Sequence, residues 1–215
     1  MFGLWGKSAE KPETRSIEDP RVPVSSDAMV AMVMGDYIAG TGEAVTIESA
    51  LGVPAIWAAV NFLAGTIAGL PLMVYRKTPE GRKRLTDGFA EMLQKRPNDD
   101  MSSFEWRKYT LEQQLTGGRG VSFIERDARG KPVAIWPLDP TKTTVKREAG
   151  RKVFDYRDGN RTVRYAASEV IDLPAMLKAD GISHRSPIMT NREVVGMAQA
   201  MARYGGAYFR NGGVP

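Results

Sequence analysis

Few of the side chains that carry out covalent chemistry are present. The 215-residue chain has no cysteine and one histidine, His184. That removes disulfides, thiolate nucleophiles and every cysteine-based zinc or iron–sulfur site. A Ser-His-Asp triad would have to use His184, but its setting, Asp180-Gly181-Ile182-Ser183-His184-Arg185-Ser186-Pro187, reads as a loop running into a helix cap. Thr116-Gly117-Gly118-Arg119-Gly120 is glycine-rich and basic, as a phosphate loop would be. It lacks the following Lys-Ser/Thr and lies after a helix and before a strand, the reverse of a phosphate loop, so it reads as a tight connection. The paired carboxylates Asp99-Asp100 and Glu125-Arg126-Asp127 sit beside turn signals, where Asp commonly bonds its own backbone. No Gly-x-Ser-x-Gly elbow and no metal-ligand spacing occurs. The expectation is a protein that is not an enzyme and has no cofactor or metal.

The remaining chemistry is charge. The net charge is +5, yet residues 1–45 hold four Lys/Arg against seven Asp/Glu, leaving residues 46–215 at +8. Arg76, Lys77, Arg82, Lys83 and Arg84 surround one turn. Lys142, Lys146, Arg147, Arg151, Lys152, Arg157, Arg161 and Arg164 decorate a strand-rich region, where alternation would expose them on one face. Two readings stand for these clusters: a surface that contacts phosphates, or solubilising charge on exposed turns. Aromatic residues do not interleave with them densely enough for a single-strand stacking platform.

The elements that must position these residues follow from periodicity. Residues 1–45 mix Pro, Ser, Gly and charge and read as a flexible arm. Its one apolar patch, 28–34, either orders against a neighbour or forms an edge strand. Order begins near Thr46. Pro54 suits a first helical turn, and Ile56, Val60, Leu63 and Ile67 recur at helical spacing until Gly69, predicting a buried helix rich in small residues. Leu72–Tyr75 reads as a strand turned by Thr78-Pro79-Glu80-Gly81, and Phe89–Gln94 as a short helix. Ser102 and Glu105 offer a capping box for a helix that stops at Gly117-Gly118.

Beyond that point the period becomes strand-like. Residues 121–126 and 132–136 predict a hairpin around Asp127–Gly130, with further strands at 143–146, 153–156, 162–165 and 170–173. The expected fold class is α+β: helices flanking a mostly antiparallel sheet of short strands, with a long C-terminal helix. That helix is expected to run as one piece from the Ser186 cap to the end. Val194, Met197, Met201, Tyr204 and Tyr208 form one apolar stripe at spacings of three and four, suited to packing either on the chain's own core or on a neighbour. The opposite side carries Arg192, Gln199, Arg203 and Arg210. No run of 18 apolar residues and no secretory signal pattern is present, so no membrane role is expected, and the chain reads as soluble and cytoplasmic.

A series of short motifs resembles a known family. Val53-Pro54-Ala55-Ile56-Trp57-Ala58-Ala59-Val60, Leu70-Pro71-Leu72-Met73-Val74-Tyr75, Arg96-Pro97-Asn98 and Trp136-Pro137-Leu138-Asp139-Pro140 come first. Asp180-Gly181 with Ser186-Pro187-Ile188, and Tyr208-Phe209-Arg210-Asn211-Gly212, complete the order. Each is weak alone; their order and spacing resemble the portal proteins of tailed bacteriophages, siphophage type, from about residue 49 onward. One step departs from the family pattern. Relatives tend to carry a Gly-Asn-Ala-Tyr-like step where this chain has Gly118-Arg119-Gly120-Val121-Ser122-Phe123, which bears on local packing and not on the family.

The resemblance implies a structural subunit of a homo-oligomeric ring, usually of twelve copies, at one capsid vertex of the virion, assembled in the bacterial host cytoplasm. Double-stranded DNA would pass through the ring during packaging and ejection, with terminase, capsid and head–tail connector proteins as partners. It divides the chain into an arm (1–45), a wing-like body (46–185) and a stem-like helix (186–215), with clip, tunnel element and crown expected to follow Pro215. It also implies that Arg192, Arg203 and Arg210 face DNA in the channel. The alternative from another class is a stand-alone basic nucleic-acid-binding module without a ring; an enzyme built on a carboxylate site is the weakest reading.

Overall fold

Thr46 and Ser49 open the first helix by exchanging bonds: the Ser49 amide donates to Thr46 Oγ1 (3.0 Å) and the Thr46 amide to Ser49 Oγ (2.9 Å). These two bonds satisfy backbone donors that a helix start otherwise leaves without partners. The computed structural model describes residues 39–213, so the apolar patch 28–34 and most of the expected arm lie outside the described residues. Helix α1 (Ile47–Leu51) is followed by α2 (Pro54–Gly69), whose Pro54 sits at a first-turn position that needs no N–H. A two-stranded hairpin, β1 (Val74–Thr78) and β2 (Gly81–Leu85), leads to α3 (Phe89–Gln94) and α4 (Ser103–Thr116). The predicted capping box is formed at α4: the Glu105 amide donates to Ser102 Oγ and the Ser102 amide to Glu105 Oε2.

The strands are β3 (Arg119–Arg126), β4 (Pro132–Leu138), β5 (Thr143–Glu148), β6 (Arg151–Asp158), β7 (Arg161–Ala166) and β8 (Val170–Pro174). Every pairing is antiparallel, and the fold is α+β as expected. The strands divide among three sheets, ordered β1-β2, β4-β3-β8 and β5-β6-β7.

Strand β3 lies at the centre of the body because both its faces are apolar or small. On one face Trp106 of α4 is buried and its Nε1 donates to Ser122 Oγ (3.0 Å). Gly120 lets α4 approach, since a Cβ there would stand 2.5 Å from Thr110 Cγ2. On the other face Val121 and Phe123 meet Phe154, Val145, Tyr156 and Tyr165 of the β5-β6-β7 sheet, giving α4, one sheet and a second sheet as successive layers. A second cluster joins Ala39, Val45, Ala50, Ile188 and Val195. Ala39 and Val45 are therefore core residues, and packing continues across the boundary expected at residue 45.

Three expectations need correction. Helix α2 is not buried as a whole: Ala64 and Ala68 are its fully buried residues and Ile56 and Val60 are half-buried, Ile56 against the Val45–Val195 cluster, while Trp57, Leu63 and Ile67 are exposed and Phe62 is 70% exposed. Its large apolar residues extend further round the helix than one neighbouring layer can cover. The strand expected at 72–75 runs 74–78 instead, because the Thr78–Gly81 turn, where Thr78 Oγ1 donates to the Gly81 carbonyl (3.1 Å), sets its pairing with β2. The C-terminal helix is not one piece. Helix α5 (Pro187–Thr190) stops at Asn191 (φ −106, ψ 22), and α6 (Arg192–Arg210) starts there. Asn191 Nδ2 donates to the Pro187 carbonyl (2.8 Å), the kind of side-chain bond by which Asn competes with continued helix.

Candidate functional site

Helix α6 is held to the body along one edge. Val195 and Gly196 are buried, and a Cβ on Gly196 would stand 2.3 Å from Ala39 Cβ, so glycine permits the close approach. Polar tethers line the same side. The Gly40 amide donates to Glu193 Oε2 (2.7 Å), Gln199 Nε2 donates to Ser49 Oγ (3.1 Å), and Arg203 pairs with Glu43. Of the three arginines expected to face DNA, Arg203 thus reaches back to the body. Arg192 lies 3.5 Å from Glu193, and Arg210 is exposed in the last turn, beside the helix carbonyl end.

The stripe of Val194, Met197, Met201 and Tyr204 points away from the body, each residue between 55% and 71% exposed. Tyr208 continues it, edge-on to Phe209 at a ring separation of 5.7 Å. The stripe therefore does not pack on the chain's own described core. The exposed apolar side of α2 is a second such surface. The sequence signal for it was Trp57 and Phe62, which fall off the 56–60–63–67 stripe and so mark a helix apolar on more than one side. Between the end of α2, α4 and β8 lies an apolar cleft of about 320 Å³ lined by Ile67, Leu70, Trp106, Leu111 and Leu173.

The basic cluster on the strands does not share one face. Register places Lys146, Arg151, Arg157 and Arg164 on one side of the β5-β6-β7 sheet and Arg147, Lys152 and Arg161 on the other. Much of the charge on the first side is already matched. Asp155 takes Arg164 Nε (2.8 Å) and Lys146 Nζ (3.0 Å), and these bonds, Arg164 first, hold its carboxyl below the usual range. Glu148 takes Arg164 as well, at 2.9 Å. Lys152 crosses to Asp172 (2.9 Å), which also lies 2.9 Å from Nε of the buried Arg119, as an ion pair without hydrogen-bond alignment. Arg119 Nη2 donates to the Ile182 carbonyl (2.7 Å). This trio, of which Arg119 is buried, was not legible beforehand, since Arg119, Lys152 and Asp172 meet only once β3, β6 and β8 are assembled.

Asp127 and Asp180, considered for catalysis, are engaged in turns, Glu125 bonds across its own sheet and His184 lies in a bridge to Leu177. Asp180 accepts from the Ile182 and Ser183 amides (2.9 and 2.8 Å), and the Ser183 side chain first, then these two amides, hold its carboxyl at about 2. His184 is half-buried; burial, and then the charge of Arg119, push its imidazole below its ordinary value. Asp127 Oδ1 accepts from the Arg129 and Lys131 amides, and Glu125 Oε2 from Trp136 Nε1. Gly118, at φ +90, faces the Arg185 carbonyl where a Cβ would lie 2.2 Å away, so the glycine-rich segment is a packed connection. Among the described residues no group of three or more His, Asp or Glu side chains could hold a metal, and no helix is long and apolar enough to cross a membrane.

Known proteins share both sequence and fold. The family described as phage portal protein matches residues 54–215. The "Probable portal protein" of Streptomyces phage phiC31 is 32% identical over 190 residues, covering 83% of this chain and 41% of that protein. The necks of gene transfer agent particles have the same fold. The empty particle's neck, computed with C6 symmetry, has a TM-score of 0.66 at 20% identity, covering 87% of this chain and 52% of its match. The native particle's neck, computed with C12 symmetry, has a TM-score of 0.65 at 19% identity, covering 87% and 51%. The chain thus spans between about two fifths and one half of these relatives' length. None of them favours a stand-alone basic module. With the ordered motifs, the layered α+β body and a family match across α2 to α6, the chain belongs to the phage portal protein family.

Proposed function

We propose that this chain is the body and stem-side portion of a subunit in a closed homo-oligomeric portal ring of twelve copies. Double-stranded DNA enters and leaves the capsid through that ring, at the portal vertex of the virion. The observation that carries the reading is the pair of uncovered apolar helix faces, on α2 and α6, in a chain of this family. A ring formed head to tail needs two different surfaces on every copy, one to give and one to receive. The C12 symmetry of a neck with this fold supports the count of twelve. In this reading Val194, Met197, Met201, Tyr204 and Tyr208 pack against neighbouring protein, and Arg192 and Arg210 lie towards the channel, where their charge eases passage of a polyanion without gripping its bases; Arg203, paired with Glu43 yet 75% exposed, lines the same side with its charge already partly met. The role is structural: terminase supplies the energy, and capsid and head–tail connector proteins are the other contacts. Assembly takes place in the host cytoplasm.

The test is a particle experiment. A small tag on the protein, labelled with gold in intact particles, is expected at a single vertex, and deleting the gene is expected to give heads without DNA. Label spread over many vertices, or full DNA content in the deletion, would refute the proposal. Arg203→Glu with Arg210→Glu tests the channel-facing part: normal DNA packaging and retention in that variant would end it.

A further inference from the structure

The hairpin β1-β2 carries charge that no carboxylate among the described residues pairs with. Its register sets Arg76 opposite Lys83 and Lys77 opposite Arg82, with Tyr75 opposite Arg84. Like charges directly opposite one another destabilise a strand pair, and a two-stranded ribbon has little stability to spare. All five cations are exposed, and among the described residues none of them makes an ion pair. The one carboxylate between them in sequence, Glu80, lies in the turn. The contrast with the β5-β6-β7 sheet is direct, because there Asp155, Glu148 and Asp172 answer Lys146, Arg164 and Lys152. The root of the ribbon is tied down by Gln94 Nε2 donating to the Leu85 carbonyl (3.4 Å), while its length projects with both faces exposed.

We infer that this hairpin is a docking ribbon for the phosphate backbone of double-stranded DNA, separate from the α6 arginines. Side chains alternate across the ribbon, so one face presents Lys77, Arg82 and Arg84 with the Tyr75 hydroxyl at its root, and the other presents Arg76 and Lys83. Lys, Arg and Tyr are among the donors that reach phosphate oxygens. The occupant is a nucleic acid and not an acidic protein because the exposed aromatic of the ribbon, Tyr75, sits at its root, and the length from Arg76 to Arg84 holds none of the apolar or aromatic anchors that protein interfaces concentrate at their centres. B-form duplex is favoured over RNA helix because a two-stranded ribbon enters a major groove about 12 Å wide, whereas the A-form major groove is too narrow. The inference does not rest on the ring: a chain that stays monomeric tests it equally.

The experiment is binding of a short labelled DNA duplex to the 215-residue chain, by anisotropy, across a salt series. Each phosphate contact contributes about 0.9 to the slope of log K against log salt. The variant Lys77→Gln, Arg82→Gln, Arg84→Gln is expected to lower the slope by about 2 to 3 and weaken binding at least about tenfold at low salt. The charge-keeping variant Lys77→Arg, Arg82→Lys, Arg84→Lys is expected to keep the slope, and thermal unfolding of both is expected to match the parent, since neither touches the core. A control with the same charge change on the sheet, Arg151→Gln, Arg157→Gln, Arg161→Gln, is expected to change the slope by less than about 1. An unchanged slope in the first variant overturns the inference. So does an equal fall in the control, which would assign binding to net charge, or competition by polyglutamate as effective as duplex at equal anionic charge, which would assign the ribbon to an acidic protein surface.

Discussion

Removing one charge from the Arg119–Asp172–Lys152 trio is expected to destabilise the chain very unequally depending on which charge is removed. The Arg119 side chain is 3% exposed and that of Asp172 12% exposed. Asp172→Asn keeps shape but leaves the Arg119 guanidinium buried with the Ile182 carbonyl as its remaining acceptor among the described residues. Stranding a buried charge costs about 3–5 kcal/mol, and the surviving hydrogen bond argues for the lower end, about 3 kcal/mol. Arg119→Met removes the cation itself. Asp172 keeps Lys152 at 2.9 Å near the surface, and the main loss is one donor to a carbonyl, about 1 kcal/mol. Urea unfolding followed by tryptophan fluorescence measures both. For a chain of this size the two variants are expected to lower Tm by about 6–12 °C and about 2–4 °C respectively. The double variant is expected to be more stable than Asp172→Asn alone, because no buried cation is left without a carboxylate. Equal losses in the two single variants, or a loss below about 1 kcal/mol for Asp172→Asn, would refute the reasoning that this pair is held by mutual need.

Other consequences follow from the same contacts. Gly120→Ala places a methyl 2.5 Å from Thr110 Cγ2 and 2.7 Å from the Thr110 carbonyl oxygen, so α4 must move off β3; a loss of about 1–3 kcal/mol is expected in the same urea assay. Met201→Glu changes a residue 68% exposed on the isolated chain, so its unfolding is expected to shift by less than about 0.5 kcal/mol while the assembled mass of the complete gene product falls. His184 has a folded-state value below its unfolded one, so between the two the unfolded chain binds more protons. Its contribution to stability is therefore full above about pH 6.5 and is lost as pH falls through the folded value, and the single imidazole proton signal is expected to titrate with a midpoint below 6.5.

Local rules made most elements legible. Ser102 and Glu105 mark the start of α4, Pro54 that of α2, and Asp127–Gly130 the β3-β4 turn, because caps and turns depend on residues three or four apart. What escaped was set by partners distant in sequence. The 56–60–63–67 stripe predicts a helix correctly, but which side of α2 is covered depends on neighbours distant in sequence, and they fully bury Ala64 and Ala68 and leave Leu63 and Ile67 exposed. The break at Asn191 was missed because the stripe begins only at Val194 and so leaves the helix start unmarked after the Ser186 cap, while the decisive bond runs from a side chain to the Pro187 carbonyl. Arg119 looked like part of a basic loop; its burial follows from Asp172, 53 residues away, lying on the neighbouring strand. The apolar stripe on α6 was legible as one apolar helix face, yet only the fold decides that it does not pack on the chain's own described core.

The most direct test of the account is the mass and symmetry of the complete gene product that carries this chain, by native mass spectrometry with electron-microscopy class averages of the same sample. The account predicts a closed ring whose mass is twelve subunit masses and whose averages show twelve-fold symmetry. A monomer that persists at micromolar concentration, or an open chain of copies that never closes, would contradict it.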